Sequence, residues 1–247
     1  MISTLQNKKR KIIIALVWLV IWQIMASLIG EEILLPSPFL VLQSFFELII
    51  SKEFYITILS SFGKIFIGFL ISVLFGLILA YLSYKNDLFY EFLNPIIVIF
   101  RSIPLASLVI FLLFWINTKN LSILVSFIMA MPIIYTNTYV GLKSIDKKLL
   151  QMASIYEVKE FDRLKYIYII KAKAFIKSSI ISVSGLVLKA GIAGEVIGLP
   201  DNSIGKNLYN TKIYLDMPSL LAWTMAILIL SFIFEYALRK ILEKDDD

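Results

Sequence analysis

Apolar residues in this chain run together in long stretches, and the polar residues collect in short segments between them. A helix that crosses a bilayer needs ~20 mostly apolar residues, because it rises ~1.5 Å per residue through ~30 Å of hydrocarbon. Six stretches fit: 12–29, 65–84, 94–116, 121–142, 178–199 and 219–238. Each predicts a helix, since an open strand edge leaves backbone donors and acceptors unpaired in lipid. The expected fold class is therefore an all-α integral membrane protein with six transmembrane helices. Pro104 in the third stretch and Pro132 in the fourth remove backbone donors and predict kinks or breaks.

Between the first two stretches, "EEILLPSP" reads as a Pro-broken loop. The following "FLVLQSFFELIISKEF" places Gln43, Glu47 and Ser51 four apart on one helical face. That pattern suits a helix lying in the membrane interface, or equally a tilted start of the second span. The first stretch follows "NKKRK" as a signal peptide would. Its apolar run exceeds the ~7–15 residues of a signal core, so a retained anchor is expected.

Composition agrees with the pattern. The 247 residues are 59% hydrophobic and 17% charged, with a mean hydropathy of +0.85. An ordinary soluble domain is ~45–50% apolar and ~25% charged. The net charge of +6 might suggest nucleic acid, but its placement argues otherwise, because the basic residues flank apolar runs. With the N-terminus inside, segments 1–11, 85–93, 143–177 and 239–247 hold 17 of the 24 Lys and Arg. The outer segments hold only Lys52, Lys64, Lys119, Lys206 and Lys212. By the positive-inside rule both termini are expected in the cytoplasm.

Chemistry is narrowly bounded. The chain has no Cys and no His, which excludes disulfides, Cys/His metal sites and His-based catalysis. The nearest approach to a nucleotide-binding loop, "GLPDNSIGKN" at 198–207, has two residues too many between its glycines and Asn207 where Ser or Thr is needed. No catalytic, metal or cofactor site is expected in this chain.

Within the spans, Gly68, Ser72, Gly76 and Ala80 form a ladder of small residues, repeated by Ala190, Gly194 and Gly198. Such ladders let helices approach closely where lipid is as apolar as Leu. Arg101, Lys189 and Glu195 are ionisable residues at membrane depth. Each should face a cavity, the bundle interior or a partner. Lining a translocation path and pairing across helices or subunits are both open to Lys189 and Glu195; Arg101 is a third path candidate, near enough to the inner end to snorkel.

Residues 143–177 contrast with everything around them, carrying nine basic and four acidic residues. Leu150, Ala153 and Val158, then Phe161, Leu164, Tyr168 and Phe175, fall at roughly helical intervals. They predict short amphipathic helices resting one face on the membrane domain and presenting the other to the cytoplasm. Here "LLQMASIYEVKEFDRLKYIYII" resembles the cytoplasmic EAA loop of permease subunits of bacterial ABC importers. Gln151 stands where Glu is usual, Met152 replaces the first Ala and Ala153 matches the second. Glu157 takes the place of the loop's Gly, Ile167 and Ile169 match its I-x-L, and Ile170 replaces its Pro. The stretches "LLPSPFLVLQSFFEL", "RSIPLASLVIFLLFW", "PIIYTNTYVGLKSIDKKLLQMASIY" and "GEVIGLPDNSIGKNL" are similar, in kind and order, to the nitrate, sulfonate and taurine branch, which includes thiamine-precursor importers.

That resemblance implies a type I ABC importer (MetI-like) permease fold: an anchor helix and outer loop over 1–54, then a permease domain over 55–240 with its coupling loop at 143–177. It implies no enzyme activity here, because ATP is bound by a separate ATPase. It assigns ATPase coupling to Gln151, Met152, Ala153, Tyr156, Glu157 and Phe161. The implied partners are two ATP-binding cassette subunits, an extracytoplasmic binding protein, membrane lipid and a second copy of the chain. The implied location is the bacterial cytoplasmic membrane. Loss of the Gly and Pro leaves the turn between coupling helices without its usual residues. The competing class, an ion-gradient-driven secondary transporter, would need inverted repeats and membrane-embedded carboxylates. No repeat is visible, and only Glu195 lies deep in a span.

Overall fold

The computed structural model describes residues 2–244. The side chains of 2–9, 11 and 12, which include most of the basic cluster ahead of the first span, lie outside the described residues, as do 1 and 245–247. Every described element is helical: α1 (Ile2–Ile29), α2 (Pro38–Ile50), α3 (Lys52–Lys85), α4 (Asp87–Ser102), α5 (Leu105–Leu113), α6 (Thr118–Lys143), α7 (Lys147–Ile155), α8 (Glu160–Arg163), α9 (Ile169–Gly198), α10 (Ile204–Ile213) and α11 (Met217–Glu243). A π-helical turn, Leu164–Tyr168, fuses α8 to α9.

Polar residues set the boundaries. Ser37, Ser51, Asn86, Asn117, Asp146, Ser203 and Asp216 each cap the helix that follows, accepting from its first free N–H groups. Ser51 also ends α2, so the amphipathic stretch after the Pro-broken loop is a helix of its own, packed against α11. Gln43 Nε2 donates to Glu47 Oε1 along its polar edge (3.1 Å).

Four helical rods are long and apolar enough to cross a membrane: α3, α6, the rod Glu160–Gly198 and α11. α4 and α5 meet at 103°, the geometry of a broken span or a re-entrant pair, while α1 carries a shorter apolar stretch, Ile13–Ile29. The expected order of six apolar units is thus consistent with the structure, with corrected bounds. The second span starts at Lys52 rather than residue 65, because the Ser51 cap launches a helix through the mixed segment 52–64. Lys64 is therefore a mid-helix residue. The two prolines behave differently. Ile103 is extended ahead of Pro104 and the helix breaks there. Pro132, expected to kink or break its helix, sits inside a continuous α6, where Thr136 Oγ1 donates to its carbonyl oxygen (2.8 Å).

α3, α6 and α9 make the centre. The ladder Gly68, Ser72, Gly76 and Ala80 is buried along the α3 face turned to α6. A Cβ on Gly76 would lie 2.8 Å from Ile134 Cγ2, closer than any packed core tolerates. Ala190, Gly194 and Gly198 turn α9 against Val125, Leu121 and the α5 leucines. Where hydrocarbon solvates both faces equally, this backbone proximity holds the bundle together. α11 closes one side, with Phe234 edge-on to Phe62, Phe66 and Phe69.

Candidate functional site

The charged segment forms one rigid unit. Asp146 starts α7 by accepting from Lys148 N–H (2.8 Å). The helix ends in a left-handed residue, Glu157 (φ 51°). Val158 N–H donates to the Ala153 carbonyl (3.0 Å) and Glu157 N–H to that of Ser154 (3.1 Å). This pair of bonds is a Schellman closure, the motif that ordinarily uses Gly at the left-handed position. The expected difficulty at Glu157 is thus answered. The turn survives without Gly, at a backbone cost of ~1–2 kcal/mol for a side-chain-bearing residue.

Arg163 compensates. Its Nε donates to the Val158 carbonyl (2.8 Å) and its Nη2 to the Ala153 carbonyl (3.1 Å), pinning α8 across the end of α7. Glu157→Gly is accordingly expected to raise the melting temperature of the detergent-purified protein by a few degrees, since it removes roughly 1 kcal/mol of strain. Glu157→Val, β-branched at the same φ, should lower it. Equal melting temperatures for all three would show that the turn is not strained.

The unit is fastened to the spans. Lys85, at the end of α3, pairs with Glu160, which also accepts from Tyr81 Oη (2.9 Å). Lys85 Nζ donates to Tyr168 Oη (2.8 Å), and the Tyr81 and Tyr84 rings pack on Tyr168. Beneath them Leu142, Ile145 and Ala172 close a small core with Leu149, Leu150 and Leu164. Of these, only Tyr168 stood out in the sequence pattern, as one of the apolar-face residues; Arg163, Lys85, Glu160 and Tyr81 did not. An aromatic and charged cluster where a span meets a basic segment was the available signal.

Of the coupling residues expected, Gln151, Met152 (51% exposed), Tyr156 (76%), Glu157 and Phe161 (73%) face outward, joined by Ile155 (80%). Ala153 is only 4% exposed and belongs to the inner side, as its carbonyl bonds require. The result is an apolar patch of Met152, Ile155, Tyr156 and Phe161 on a braced, otherwise polar surface.

The membrane candidates separate. Glu195 is fully buried (0% exposed). Ser61 Oγ donates to its Oε2 (2.8 Å), Ser122 Oγ to Oε1 (3.1 Å) and Gly205 N–H to Oε2 (3.2 Å), while Ser61 Oγ accepts from Ile204 N–H (2.9 Å). A Cβ on Gly205 would collide with Glu195. Glu195, for which both path lining and pairing across helices or subunits were open, is a clamp of α3, α6 and α10 onto α9. Lys189 is exposed, on one face of α9 with Ser178 and Ser182 at helical spacing. Arg101 is exposed at the α4–α5 break, with Nη1 3.5 Å from Thr136 Oγ1. The structure does not bring Arg101, Lys189 and Glu195 together.

At the opposite end from the braced charged unit, a polar depression of about 590 Å³ is lined by residues that include Glu53, Thr57, Asp201, Asn202, Lys206 and Asn207. The Lys206 ammonium hydrogen-bonds Asp201 and holds its carboxyl below the usual range.

Residues 72–244 match the family model "Binding-protein-dependent transport system inner membrane component". Among curated proteins, the chain is similar to the putative aliphatic sulfonates transport permease protein SsuC of Bacillus subtilis, with 27% identity over 72% of this chain and 65% of that one. It is similar to the formylaminopyrimidine transport permease protein ThiX of Halalkalibacterium halodurans, with 30% identity over 54% of this chain and 53% of that one. Against the nitrate import permease protein NrtB of a Synechocystis strain it shows 29% identity over 73% and 69%. The match therefore spans less than two thirds of the length of the first two relatives. Among solved structures, a chain of the inward-facing MetNI methionine ABC transporter superposes with a TM-score of 0.66 at 16% identity, over 76% of this chain and 94% of that one. That likeness is one of fold.

Proposed function

Because the chain belongs to the family of binding-protein-dependent transport system inner membrane components, we propose that it is the multi-pass permease subunit of an ATP-driven importer in the bacterial cytoplasmic membrane. The observation that carries the reading is the braced unit 147–168. It sets an apolar patch on a segment tied by Lys85–Glu160 and Tyr168 directly to the cytoplasmic end of α3. A separate ATPase docking on that patch moves α3, α6 and α9 with it, because the segment has no slack. ATP is bound by that partner and hydrolysed there. Both termini lie in the cytoplasm, as the basic-residue imbalance requires.

The path forms between two copies of the chain. Ser178, Ser182 and Lys189 form an exposed polar stripe at membrane depth. A charged side chain facing lipid there costs ~2.5–3.5 kcal/mol, so a second copy and a hydrated path supply the neighbours that one copy lacks. Arg101 lies at the path's inner end. The relatives named for sulfonates, a formylaminopyrimidine and nitrate support a small solute, delivered by an extracytoplasmic binding protein docking over the polar depression of Glu53 and Asp201.

Reconstituted with the ATPase encoded beside its gene and the matching binding protein, the chain should import solute only with ATP. Lys189→Ala should lower that uptake by about ten- to a hundredfold, the effect of one lost charge-assisted contact of ~1.5–3 kcal/mol, while ATPase binding stays intact. Gradient-driven uptake by the chain alone would overturn the proposal, and full uptake by Lys189→Ala would remove Lys189 from the path.

A further inference from the structure

A cavity of about 260 Å³ lies where the coupling unit joins the spans, between α3 (Leu77, Ile78, Tyr81, Leu82), α6 (Thr138, Leu142), the π turn and the start of α9 (Ala172, Ile176). Its accessible walls carry only hydrocarbon. Cavities of that kind do not hold ordered water, yet they accept apolar guests. Ile78, Leu82 and Ile169, which form its rim, are exposed side chains on membrane-crossing rods. The cavity thus opens toward hydrocarbon rather than toward the aqueous phase. At 3.6 residues per turn, its α9 residues lie roughly 130° around the helix from Ser178, Ser182 and Lys189. A second copy seated on that stripe leaves the cavity open.

A further observation points to a functional site. Leu164 and Tyr168, both wall residues, come from the π turn, a geometry that recurs at functional sites. On the coupling side, exposed Lys165 precedes Ile169 by about one turn and stacks over Tyr166.

We propose that this cavity is a binding site for an anionic glycerophospholipid of the leaflet nearest the coupling unit. The acyl chain fills the apolar slot, and its headgroup meets Lys165. Anionic headgroups of the cytoplasmic leaflet are attracted to such basic positions. Because the slot is walled by both coupling segment and spans, its occupant bears on the joint through which the two move. The assignment of the leaflet as cytoplasmic rests on the orientation proposed above; the site itself does not.

The full chain, in nanodiscs containing phosphatidylglycerol with a diazirine midway along one acyl chain, is irradiated and its peptides mapped by mass spectrometry. Adducts should concentrate in 77–82 and 164–176, relative to the exposed face of 13–29, which serves as internal control. Ala172→Leu, filling the slot, should cut those adducts about tenfold, the effect of excluding roughly two methylenes, and leave the control unchanged. Ile169→Trp narrows the mouth without touching the buried wall and should do the same, so a folding defect in the first variant does not decide the outcome. Labelling no denser than at 13–29, or indifferent to both variants, overturns the site. Equal labelling by a phosphatidylcholine probe overturns the anionic headgroup.

Discussion

Glu195→Ala is expected to destabilise the membrane domain by about 3–5 kcal/mol and to lower its melting temperature in detergent by roughly 10 °C. The size follows from what remains behind. Ser61, Ser122 and the Gly205 N–H all donate to the carboxylate, and each would be left buried without its acceptor, at ~1–3 kcal/mol apiece. The loss is also directional: α10 is held at its first turn by Gly205 and Ile204, so its docking on α3 and α9 should loosen first. Glu195→Gln separates this from a requirement for charge. The amide oxygen can take the Ser61 and Gly205 donors, and the Ser122 hydroxyl can rotate to accept from the amide nitrogen. That variant should lose only about 1 kcal/mol. Thermal melts of the three proteins, with limited proteolysis at 199–216, make the comparison. A Glu195→Ala protein as stable as the parent would mean that the clamp holds nothing.

How far such features were legible in the chain depends on how local their cause is. The apolar runs and the small-residue ladder on α3 translate directly into spans and a packed seam, because both follow from single-helix periodicity. Pro104 and Pro132 look equivalent by that criterion and are not. One is preceded by an extended Ile103, and the other is carried inside a helix buried by α3 and α9, where packing outweighs the lost bond. Glu195 shows the limit most clearly. Its position six residues after Lys189 puts the two on largely different faces of one helix, but its partners Ser61 and Ser122 lie on other helices, 134 and 73 positions away. A serine in an apolar span was visible; the carboxylate it serves was not. The charged segment 143–177 is intermediate. Its amphipathic spacing marked outward and inward faces, and a left-handed turn was implied by the Gly that Glu157 replaces. The Arg163 brace that holds the turn has no periodic signature.

Tyr156→Asp combined with Phe161→Asp should abolish co-purification of the ATPase and, with it, ATP-driven uptake, while leaving the fold untouched. Both side chains are more than 70% exposed, so replacing them removes no internal packing, and surface substitutions of this kind ordinarily stay within about 0.5 kcal/mol in stability. In the proposed docking the same side chains would be the aromatic anchors of the patch, where each truncation costs ~2 kcal/mol or more. Two lost anchors and two buried carboxylates together weaken binding by roughly a thousandfold. Ala153→Arg also tests the segment, but by another route: the site is 4% exposed and its carbonyl closes the α7 turn, so that variant should melt earlier as well as lose its partner. The pair of outcomes discriminates. If the double aspartate variant loses the ATPase at an unchanged melting temperature, the patch is the contact surface and the brace its support. If it retains the ATPase while Ala153→Arg does not, the partner reads the shape of the turn or its charged flanks, and Met152, Ile155, Tyr156 and Phe161 face the partner without binding it.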